Sequence, residues 1–478
     1  MSEGCMESDR RIALDDLSSF DSNGLETVAV ALDEISQKSK ENVGTEFSED
    51  SLARLFSERH GNDWRYIAAW NKWVFWNGSV WKHERTLHVF DLARNICRSV
   101  VARLNKPSDV RNILSASTMN AVEKFARSDR RHAAKHDQWD CDPLLLNTPS
   151  GVVNLRTGYV AAHDPSLYLT KITRARIGNT SPRWMQFLNE ITNGDAALQA
   201  YLKRVAGYCA TGLTSEQVLF FPFGPGGNGK TCLMETLADA LGDYATVAPS
   251  NFLMESRSER HPTELAKLMG ARLVLGSEVP VNTHWDDVRI KQLTGGDTVT
   301  ARFMRMDFFD FRPFFKLIVF GNNKPNLSNV DEAIRRRLQL IPLDVVIPPE
   351  KRDRTLQEKL RAERDGVLKW IIEGAQEWSE YGLNPPNIVQ EATADYFSTE
   401  DDFGRWINED CLLDPTVKTE TRKLFNSWQN WVNQNNESLG GIKQFTNELG
   451  KRGFKKTHDP VSRRSVFLGI APLCEDKR

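Results

Sequence analysis

The sequence is poor in cysteine, and none of its cysteines stands near another. Seven are spread singly over 478 residues, with no Cys-x-x-Cys spacing. This pattern excludes a disulfide framework and a cysteine-based zinc site, and it is typical of reduced thiols in the cytoplasm. No apolar run approaches the ~20 residues needed to span a membrane, and the acidic N-terminus lacks the apolar core of a secretory signal. We therefore expect a cytoplasmic protein without a membrane partner.

A strong net charge is also lacking, but the formal value of −2 hides an asymmetry. Residues 1–50 carry 13 acidic and 4 basic side chains, whereas residues 440–478 carry 9 basic and 4 acidic ones. The basic end indicates either a surface for a polyanion or an ordinary solvated tail. With 40% hydrophobic and 26% charged residues, the chain has the composition of a globular protein of two to four domains.

The N-terminal third combines an acidic segment with predicted helix and hairpin. Residues 1–45 are Ser-rich, acidic and poor in aromatics, which predicts a mobile extension. Apolar residues at helical spacing follow at Leu52, Leu55 and Phe56. Two tryptophan-rich arms flank the turn signal Asn77-Gly78, which predicts a β-hairpin. Its tryptophans would stack on bases or, as we favour, pack in a small core.

Two polar groupings raise the question of a metal. Asp140 and Asp142 form an Asp-x-Asp pair, which would bind a metal or, as we favour, cap turns. His132 and His136 stand four residues apart, a spacing that metal ligands use. They lie in the polar stretch "RSDRRHAAKHD", so we expect them on the solvated face of a helix instead.

The stretch with the clearest chemistry is "GPGGNGKT", which fits the phosphate-binding loop pattern Gly-x-x-x-x-Gly-Lys-Thr. An apolar β-type run at 218–223 precedes it, and a helical pattern ending at Gly242 follows it. Glycines let backbone N–H groups turn around phosphates, and the helix N-terminus adds its positive dipole end. We expect the lysine to reach the β- and γ-phosphates and the threonine to bind Mg²⁺. The predicted ATP-binding residues are Gly224, Pro225, Gly226, Gly227, Asn228, Gly229, Lys230, Thr231 and Cys232.

Polar residues end the next two apolar strands. "ARLVLGSEV" ends in Glu278, placed as a carboxylate that serves Mg²⁺ and the attacking water. "FKLIVFGNNKP" ends in Asn322, which we expect to sense the γ-phosphate or orient water. A short helix then leads into "RRR" at 335–337. Three consecutive arginines cannot share one helix face, so one would pack locally while another projects to a neighbour's nucleotide as an arginine finger.

Between those two strands lies a segment with basic and aromatic residues in short β-type stretches. Basic groups interleaved with aromatics on a hairpin suit contact with a nucleic-acid single strand; the alternative is a plain hairpin with a solvated basic face. The predicted DNA-binding residues are Lys291, Arg302, Phe303 and Arg305.

Together these stretches resemble a superfamily 3 helicase of the phage and plasmid primase–helicase type. The resemblance implies an α/β fold, with a P-loop NTPase core of AAA+-like type, an N-terminal α+β helicase-associated domain and a C-terminal winged-helix-like domain. It also implies that residues 224–231 are the Walker A loop, Glu278 the Walker B acid and Asn322 sensor 1. This chain has Arg335 where the family often has an aromatic residue, which leaves the finger between Arg336 and Arg337. The implied domains are the extension at 1–45, followed by 46–180, 181–375 and 376–478.

We therefore expect an ATP- and Mg²⁺-dependent DNA helicase, assembled as a homohexameric ring, that serves replication of a phage, plasmid or mobile element. Its DNA partners would be a single strand in the pore and the fork duplex. The longer relatives carry a primase domain that is not evident here, so priming is expected from another protein, in a bacterial host cytoplasm. Two alternatives are a P-loop ATPase that loads or remodels replication proteins, and an origin-binding protein that uses ATP only to assemble.

Overall fold

A computed structural model of the chain describes residues 47–249, 251–256, 260–277, 283–304, 307–327, 330–435, 441–460 and 462–473. The extension predicted at 1–45 lies outside the described residues. The chain forms two compact units, one up to Trp139 with Pro165–Thr170, the other Asp140–Asp164 with everything from Lys171 onward. Among the helices described, none is long and apolar enough to cross a membrane.

The first unit packs helices on a four-stranded sheet whose strands lie side by side in the order Trp81–His83, Lys72–Trp76, Trp64–Ile67 and Ala133–Ala134. Its elements are α1 (Glu49–His60), β1 (Trp64–Ile67), β2 (Lys72–Trp76), β3 (Trp81–His83), α2 (His88–Val100), α3 (Pro107–Ile113), α4 (Ala116–Ala126) and β4 (Ala133–Ala134). The predicted first helix and the predicted hairpin are confirmed. Gly78 takes a positive φ of 94° in the turn between β2 and β3, where a side chain is disfavoured.

The tryptophans of this hairpin serve the core, as favoured from the sequence. Trp73 and Trp81 are 7% and 1% exposed. The Trp81 ring lies edge-on to Trp139 at 5.6 Å, and its Nε1 donates to the Pro165 carbonyl at 2.9 Å. A buried indole that finds an acceptor in this way stabilises the fold without an unpaired polar group.

The expectation of a solvated helix around His132 is wrong. The α4 helix ends at Ala126, and residues 127–132 form turns. The His132 ring is fully buried between Phe56 and Trp73, and Nδ1 lies 2.9 Å from the Trp64 carbonyl. Burial lowers the pKa of this imidazole. The charged neighbours in sequence concealed an interior position, and no group of three or more His, Cys, Asp or Glu side chains among the described residues is arranged to hold a metal.

The second unit is built on a five-stranded parallel sheet whose strands lie side by side in the order Leu338–Pro342, Leu219–Phe223, Lys316–Phe320, Leu273–Ser277 and Ala245–Val247. Its elements up to the last of these strands are β5 (Leu145–Thr148), β6 (Gly151–Asn154), β7 (Val160–Ala161), α5 (Pro182–Ile191), α6 (Ala196–Ala210), β8 (Leu219–Phe223), α7 (Lys230–Leu241), β9 (Ala245–Val247), α8 (Thr263–Ala266), β10 (Leu273–Ser277), α9 (Asp287–Thr294), β11 (Val299–Arg302), β12 (Phe308–Phe311), β13 (Lys316–Phe320), α10 (Glu332–Arg335) and β14 (Leu338–Pro342).

Both faces of this sheet are buried, which explains why its strands are nearly continuous apolar runs. Phe220 and Ile318 pack into the hydrophobic cluster on one face, and Phe221 and Val319 into the cluster on the other. Parallel strands place all their carboxyl ends at one edge, so the segments that follow β8, β13 and β14 meet there. The chain is thus a mixed α/β protein, as predicted.

Further helices and another small sheet complete this unit. They are α11 (Leu356–Ala362), α12 (Arg364–Tyr381), α13 (Asn387–Glu400), α14 (Asp402–Asp410), β15 (Cys411–Glu420), α15 (Thr421–Asn435), α16 (Ile442–Lys451), β16 (Lys456–His458) and β17 (Ser465–Pro472). The α12 helix runs across the boundary predicted at 375/376. The antiparallel sheet has the order β15-β17-β16, and Trp406, Leu449 and Phe467 are buried beside it. The Asp142 carboxylate accepts from the Leu144 N–H at 2.8 Å, the turn-capping role that we favoured.

Candidate functional site

The glycine-rich loop, residues 224–229, joins the end of β8 to the start of α7. Gly224, Gly227 and Gly229 have positive φ values of 146°, 79° and 85°. At Gly224 a Cβ atom would stand 2.1 Å from the Leu343 carbonyl oxygen, so only glycine fits this approach. The Asn228 side-chain amide donates to that same carbonyl. The loop is therefore fixed against the segment that follows β14, with its backbone tightly curved.

The Lys230 side chain is turned into this loop. It is 5% exposed, and its Nζ donates to the carbonyls of Gly224 and Pro225 at 2.7 and 3.0 Å and to Asn228 Oδ1 at 2.9 Å. Burial lowers the pKa of the ammonium group. The Asp344 charge opposes this lowering, but among the described residues no carboxylate forms an ion pair with Lys230, so the ammonium group retains attraction for an anion. An anion bound at the loop would compete with these oxygens for the lysine.

A cavity of about 590 Å³ lies beside the loop. The carboxyl end of β13 forms its other wall, where Asn322 Nδ2 would be 3.9 Å from a Cβ atom placed on Gly226. The cavity is lined by Gly226, Gly227, Asn228, Gly229, Lys230, Thr231, Cys232, Phe320, Gly321, Asn322 and Asn323. The structure thus brings together most of the predicted ATP-binding residues and Asn322, which are about 90 residues apart in sequence. Glu278 lies outside the described residues.

The three consecutive arginines have different surroundings. Arg337 is 7% exposed; its Nε donates to Thr294 Oγ1 at 3.2 Å and its Nη1 to the Ala333 carbonyl at 2.7 Å. Arg335 lies 3.6 Å from an Asp401 oxygen and over the Phe397 ring at 5.2 Å. Arg336 is exposed; its backbone N–H donates to the Glu332 carbonyl at 3.2 Å, but its side chain makes no hydrogen bond or ion pair with the described residues. Of the two candidates for an arginine finger, Arg336 is the one whose guanidinium is free to meet another molecule.

The predicted hairpin is confirmed as the antiparallel pair β11–β12. Phe308 is 58% exposed, and the Arg302 guanidinium lies over its ring at 4.6 Å. Phe303 stacks on Phe309 with ring centroids 5.3 Å apart. Arg305 lies outside the described residues. The hairpin therefore places a half-buried cation beside an exposed aromatic ring, a pairing suited to phosphate and base.

Lys291, predicted to contact DNA, instead lies on α9 in a contact within the chain. Its Nζ donates to Asp331 Oδ2 at 2.5 Å, and Asp331 caps α10 by accepting from the Ile334 N–H at 2.8 Å. A DNA contact by Lys291 stays a prediction that would require this ion pair to break.

Sequence reasoning missed Arg352, whose guanidinium lies against the glycine-rich loop. Its Nε donates to the Ile347 carbonyl at 2.8 Å, and the Ile347 N–H donates to the Gly227 carbonyl at 3.2 Å. A Cβ atom on Gly227 would stand 2.3 Å from Arg352 Nη2. The signal for this contact is strand order: β14 pairs with β8 and so delivers residues 343–352 to the loop. A single sequence does not reveal that order.

Comparison with known proteins adds two family matches. Residues 53–193 match the D5 N terminal like family, and residues 223–337 match a family of unknown function, DUF5906. The second match begins at the last residue of β8 and ends at Arg337, so it spans the glycine-rich loop, the hairpin and the arginines.

Curated relatives of the chain are viral. One is named "Putative helicase L207/L206", from Acanthamoeba polyphaga mimivirus, 27% identical over 270 residues, which is 52% of this chain and 28% of that protein. A similarly named protein, 022R of Frog virus 3 (isolate Goorha), is 24% identical over 264 residues, 50% of this chain and 27% of its own length. The matched segment therefore spans little more than a quarter of either relative.

Among solved structures, the apo structure of the NrS-1 C terminal region (305-718) is similar with a TM-score of 0.48 and 11% identity, over 89% of this chain and 100% of that one. A second form of that region has a TM-score of 0.46 and 10% identity, over 87% of this chain and 98% of that one. The family and sequence matches support the resemblance seen in the motifs: two segments of the chain match the D5 N terminal like family and DUF5906, and the chain is similar to viral proteins named as putative helicases.

Proposed function

We propose that this chain is an ATP-dependent DNA helicase of superfamily 3 that works as a ring of identical subunits. The observation that carries the proposal is the cavity shared by the glycine-rich loop, Lys230 and Asn322 at the carboxyl edge of a parallel sheet. Loop N–H groups, a helix N-terminus and an ammonium group whose hydrogen-bond acceptors are neutral oxygens form a site for the phosphates of a nucleoside triphosphate. The viral relatives named as helicases support DNA unwinding as the work that hydrolysis drives.

Each residue of the site would have its own role in ATP hydrolysis. Lys230 would leave the loop oxygens for the β- and γ-phosphates, and Asn322 would orient water or the γ-phosphate from the opposite wall. The exposed Thr231 side chain, which lines the cavity, and Glu278 would hold Mg²⁺, which neutralises phosphate charge when bound. Arg336 would complete the site of the adjacent subunit. An interface at which Arg336 of one subunit meets the loop of the next is head-to-tail, and the proposed ring requires that its rotation closes.

Unwinding tests the proposal as a whole. With forked duplexes that carry 3′ or 5′ tails, we expect strand displacement that requires ATP and Mg²⁺, together with ATPase activity that rises with single-stranded DNA. An ATPase that ignores DNA and displaces no strand would favour the protein-remodelling alternative instead.

The hairpin is expected to carry the stimulation by DNA. Arg302→Ala combined with Arg305→Ala should reduce DNA-stimulated ATP hydrolysis and unwinding on the order of 10-fold or more, through lost phosphate contacts. Hydrolysis without DNA should persist, because the Arg302 guanidinium lies on Phe308 rather than in the cavity. A charge-matched control is Arg176→Ala with Arg361→Ala, two exposed arginines of the same unit. If basal hydrolysis falls as far as the stimulated rate, the segment is structural and the DNA assignment fails.

We propose further that residues 402–472 form a winged-helix-like unit that binds the fork duplex. Its element order, α14-β15-α15-α16-β16-β17, leaves one side of α16 exposed while Phe445 and Leu449 on the other side are buried. We call the exposed side the α16 face. It borders a cavity of about 700 Å³ whose cationic residues are Arg422, Lys443, Lys456 and Arg464. Arg464 pairs with Glu420 of the same cavity at 3.0 Å, which leaves Arg422, Lys443 and Lys456 to meet the phosphates that flank a duplex groove.

Salt dependence tests this surface. Lys443→Ala combined with Lys456→Ala should weaken duplex binding and lower the slope of log affinity against log salt by about 0.9 for each lost phosphate contact. Lys418→Ala with Lys423→Ala removes the same charge from exposed positions outside that cavity and serves as the control. Equal slopes in wild type and both variants would identify the basic excess as a solvated surface only.

A further inference from the structure

The side chain of Arg336 is exposed, but the helix that precedes it is tied on several sides. Arg336 follows the last residue of α10, a helix of only four residues. So short a helix has little stability of its own, and its orientation depends on outside contacts. Two of these lie toward α9: Lys291 binds the capping Asp331, and Arg337 donates to Thr294.

The third contact comes from the other direction. Arg335 of α10 lies 3.6 Å from Asp401 Oδ2 and packs over the Phe397 ring. Asp401 is the single residue between α13 and α14. Its carboxylate also accepts from Arg452, Nη2 to Oδ1 at 2.6 Å and Nη1 to Oδ2 at 3.2 Å. One carboxylate is thus shared by two guanidiniums, one beside the proposed finger and one immediately after α16.

Partial burial distinguishes the ion pairs of this shared carboxylate from ion pairs on the exposed surface. The Asp401 side chain is only 17% exposed, and that of Arg452 only 25%. Burial opposes ionisation, but hydrogen bonds from Arg452 and from the Gly404 N–H lower the pKa of Asp401, so it is charged at neutral pH. A two-pronged, partly buried Arg–carboxylate contact is stronger and more directional than an exposed pair.

Around this contact the two elements are separated by a charged cavity of about 300 Å³. Its lining residues are Val330, Asp331, Glu332, Arg335, Asp401, Glu448, Lys451 and Arg452. Only one of the eight is apolar, so close apolar packing does not fix the distance between α10 and α16. The ion pairs through Asp401 connect α10 to the end of α16 across this cavity.

We propose that Asp401 is a positioning residue: it orients α10, and with it Arg336, and through Arg452 it makes that orientation depend on what the α16 face binds. The inference rests on the proposed function, because it assigns to Asp401 the coupling between duplex binding and ATP hydrolysis. Coupling of this kind needs a physical element shared by both sites, and the carboxylate held by Arg335 and Arg452 is such an element.

The substitution Asp401→Asn isolates the charge. Asparagine caps a helix about as well as aspartate, so the hydrogen bond from the Gly404 N–H and the start of α14 should persist. We expect kcat for duplex-stimulated ATP hydrolysis to fall about 10-fold, within the range typical of coupling between sites. The KM for ATP should stay within about 2-fold of wild type, a change too small to count as lost coupling. Asp401→Glu, which keeps the charge, should restore part of the loss.

Two further variants test the contact of Asp401 with Arg335 and its contact with Arg452 separately. Arg335→Ala should lower kcat as Asp401→Asn does, and the double variant should be no worse than either single one, since both remove the same connection. Arg452→Ala should leave hydrolysis without DNA unchanged and remove the stimulation by duplex DNA. Asp395→Asn, at an exposed position on the same α13 helix, is the matched control and should behave as wild type.

Several outcomes would overturn the proposal. One is wild-type kcat in Asp401→Asn; another is a loss in which KM for ATP rises and the melting temperature falls, which marks a purely structural role. Additive losses in the double variant would also count against it. If the wild-type chain has no ATPase activity at all, both the proposed function and this inference are wrong. If the wild-type chain is active and Asp401→Asn is unaffected, only this inference is wrong.

Discussion

Replacing Lys230 by alanine is expected to abolish nucleotide turnover while the chain stays folded. Removing a single donor that stabilises charge in a transition state typically lowers kcat by about 10²- to 10³-fold. Lys230 supplies a full charge that, among the described residues, no carboxylate neutralises in an ion pair, so we expect a loss at the upper end of that range. Alanine is the best helix former, and position 230 begins α7, so the helix should be retained.

The hydrogen bonds of the loop indicate whether its backbone should be retained in Lys230→Ala. In this structure the ammonium group donates to the Gly224 and Pro225 carbonyls, which would lose a donor in Lys230→Ala. The loop keeps a second anchor, the Asn228 amide on the Leu343 carbonyl, so its backbone should hold. Measurements of ATPase rate, circular dichroism and melting temperature separate the two effects. Lys267→Ala, exposed and outside the cavity, is the control. Near wild-type ATP turnover in Lys230→Ala would contradict the assignment of residues 224–231 as a phosphate-binding loop.

The site could be predicted from the sequence wherever local chemistry dictates local structure. Consecutive glycines between an apolar run and a helical pattern permit few conformations, and the predicted strand at 218–223 differs from the observed β8 by one residue. The position of Asn322 could be predicted for a related reason: a polar residue that closely follows an apolar strand lies at the edge of the sheet. Parallel pairing of β8 with β13 then brings it to the loop.

What the sequence did not reveal depends on contacts between distant segments. Arg352 meets the loop only because β14 lies beside β8, and Asp401 meets Arg335 only because α13 packs along β14, where Thr393 Oγ1 accepts from the Leu340 N–H. Charge composition misled at His132, because burial there is decided by the rings of Phe56 and Trp73 rather than by neighbours in the chain. Among three adjacent arginines, only the surroundings distinguish the buried Arg337 from the exposed Arg336.

Arg336→Ala is expected to bind ATP normally and hydrolyse it very slowly. An arginine finger stabilises charge on the transferring γ-phosphoryl group and contributes on the order of 10³-fold or more in rate. Its own subunit's loop is intact in this variant, so binding of a labelled nucleotide should be close to wild type. Arg337→Ala is an informative comparison: it should lower the melting temperature, because Arg337 is buried and donates to Thr294 and Ala333.

Mixing experiments decide whether Arg336 acts on a neighbouring subunit. When Arg336→Ala is mixed with excess Lys230→Ala, some interfaces pair an intact loop with an intact arginine, so two inactive variants should regain activity together. The control replaces the excess partner with the double variant Lys230→Ala, Arg336→Ala, which assembles in the same way but brings no intact arginine and should restore nothing. If mixed oligomers form and the first mixture is as inactive as the control, Arg336 does not act across an interface. The assignment would then pass to Arg337, which could serve only by giving up its contacts with Thr294 and Ala333, or fall altogether.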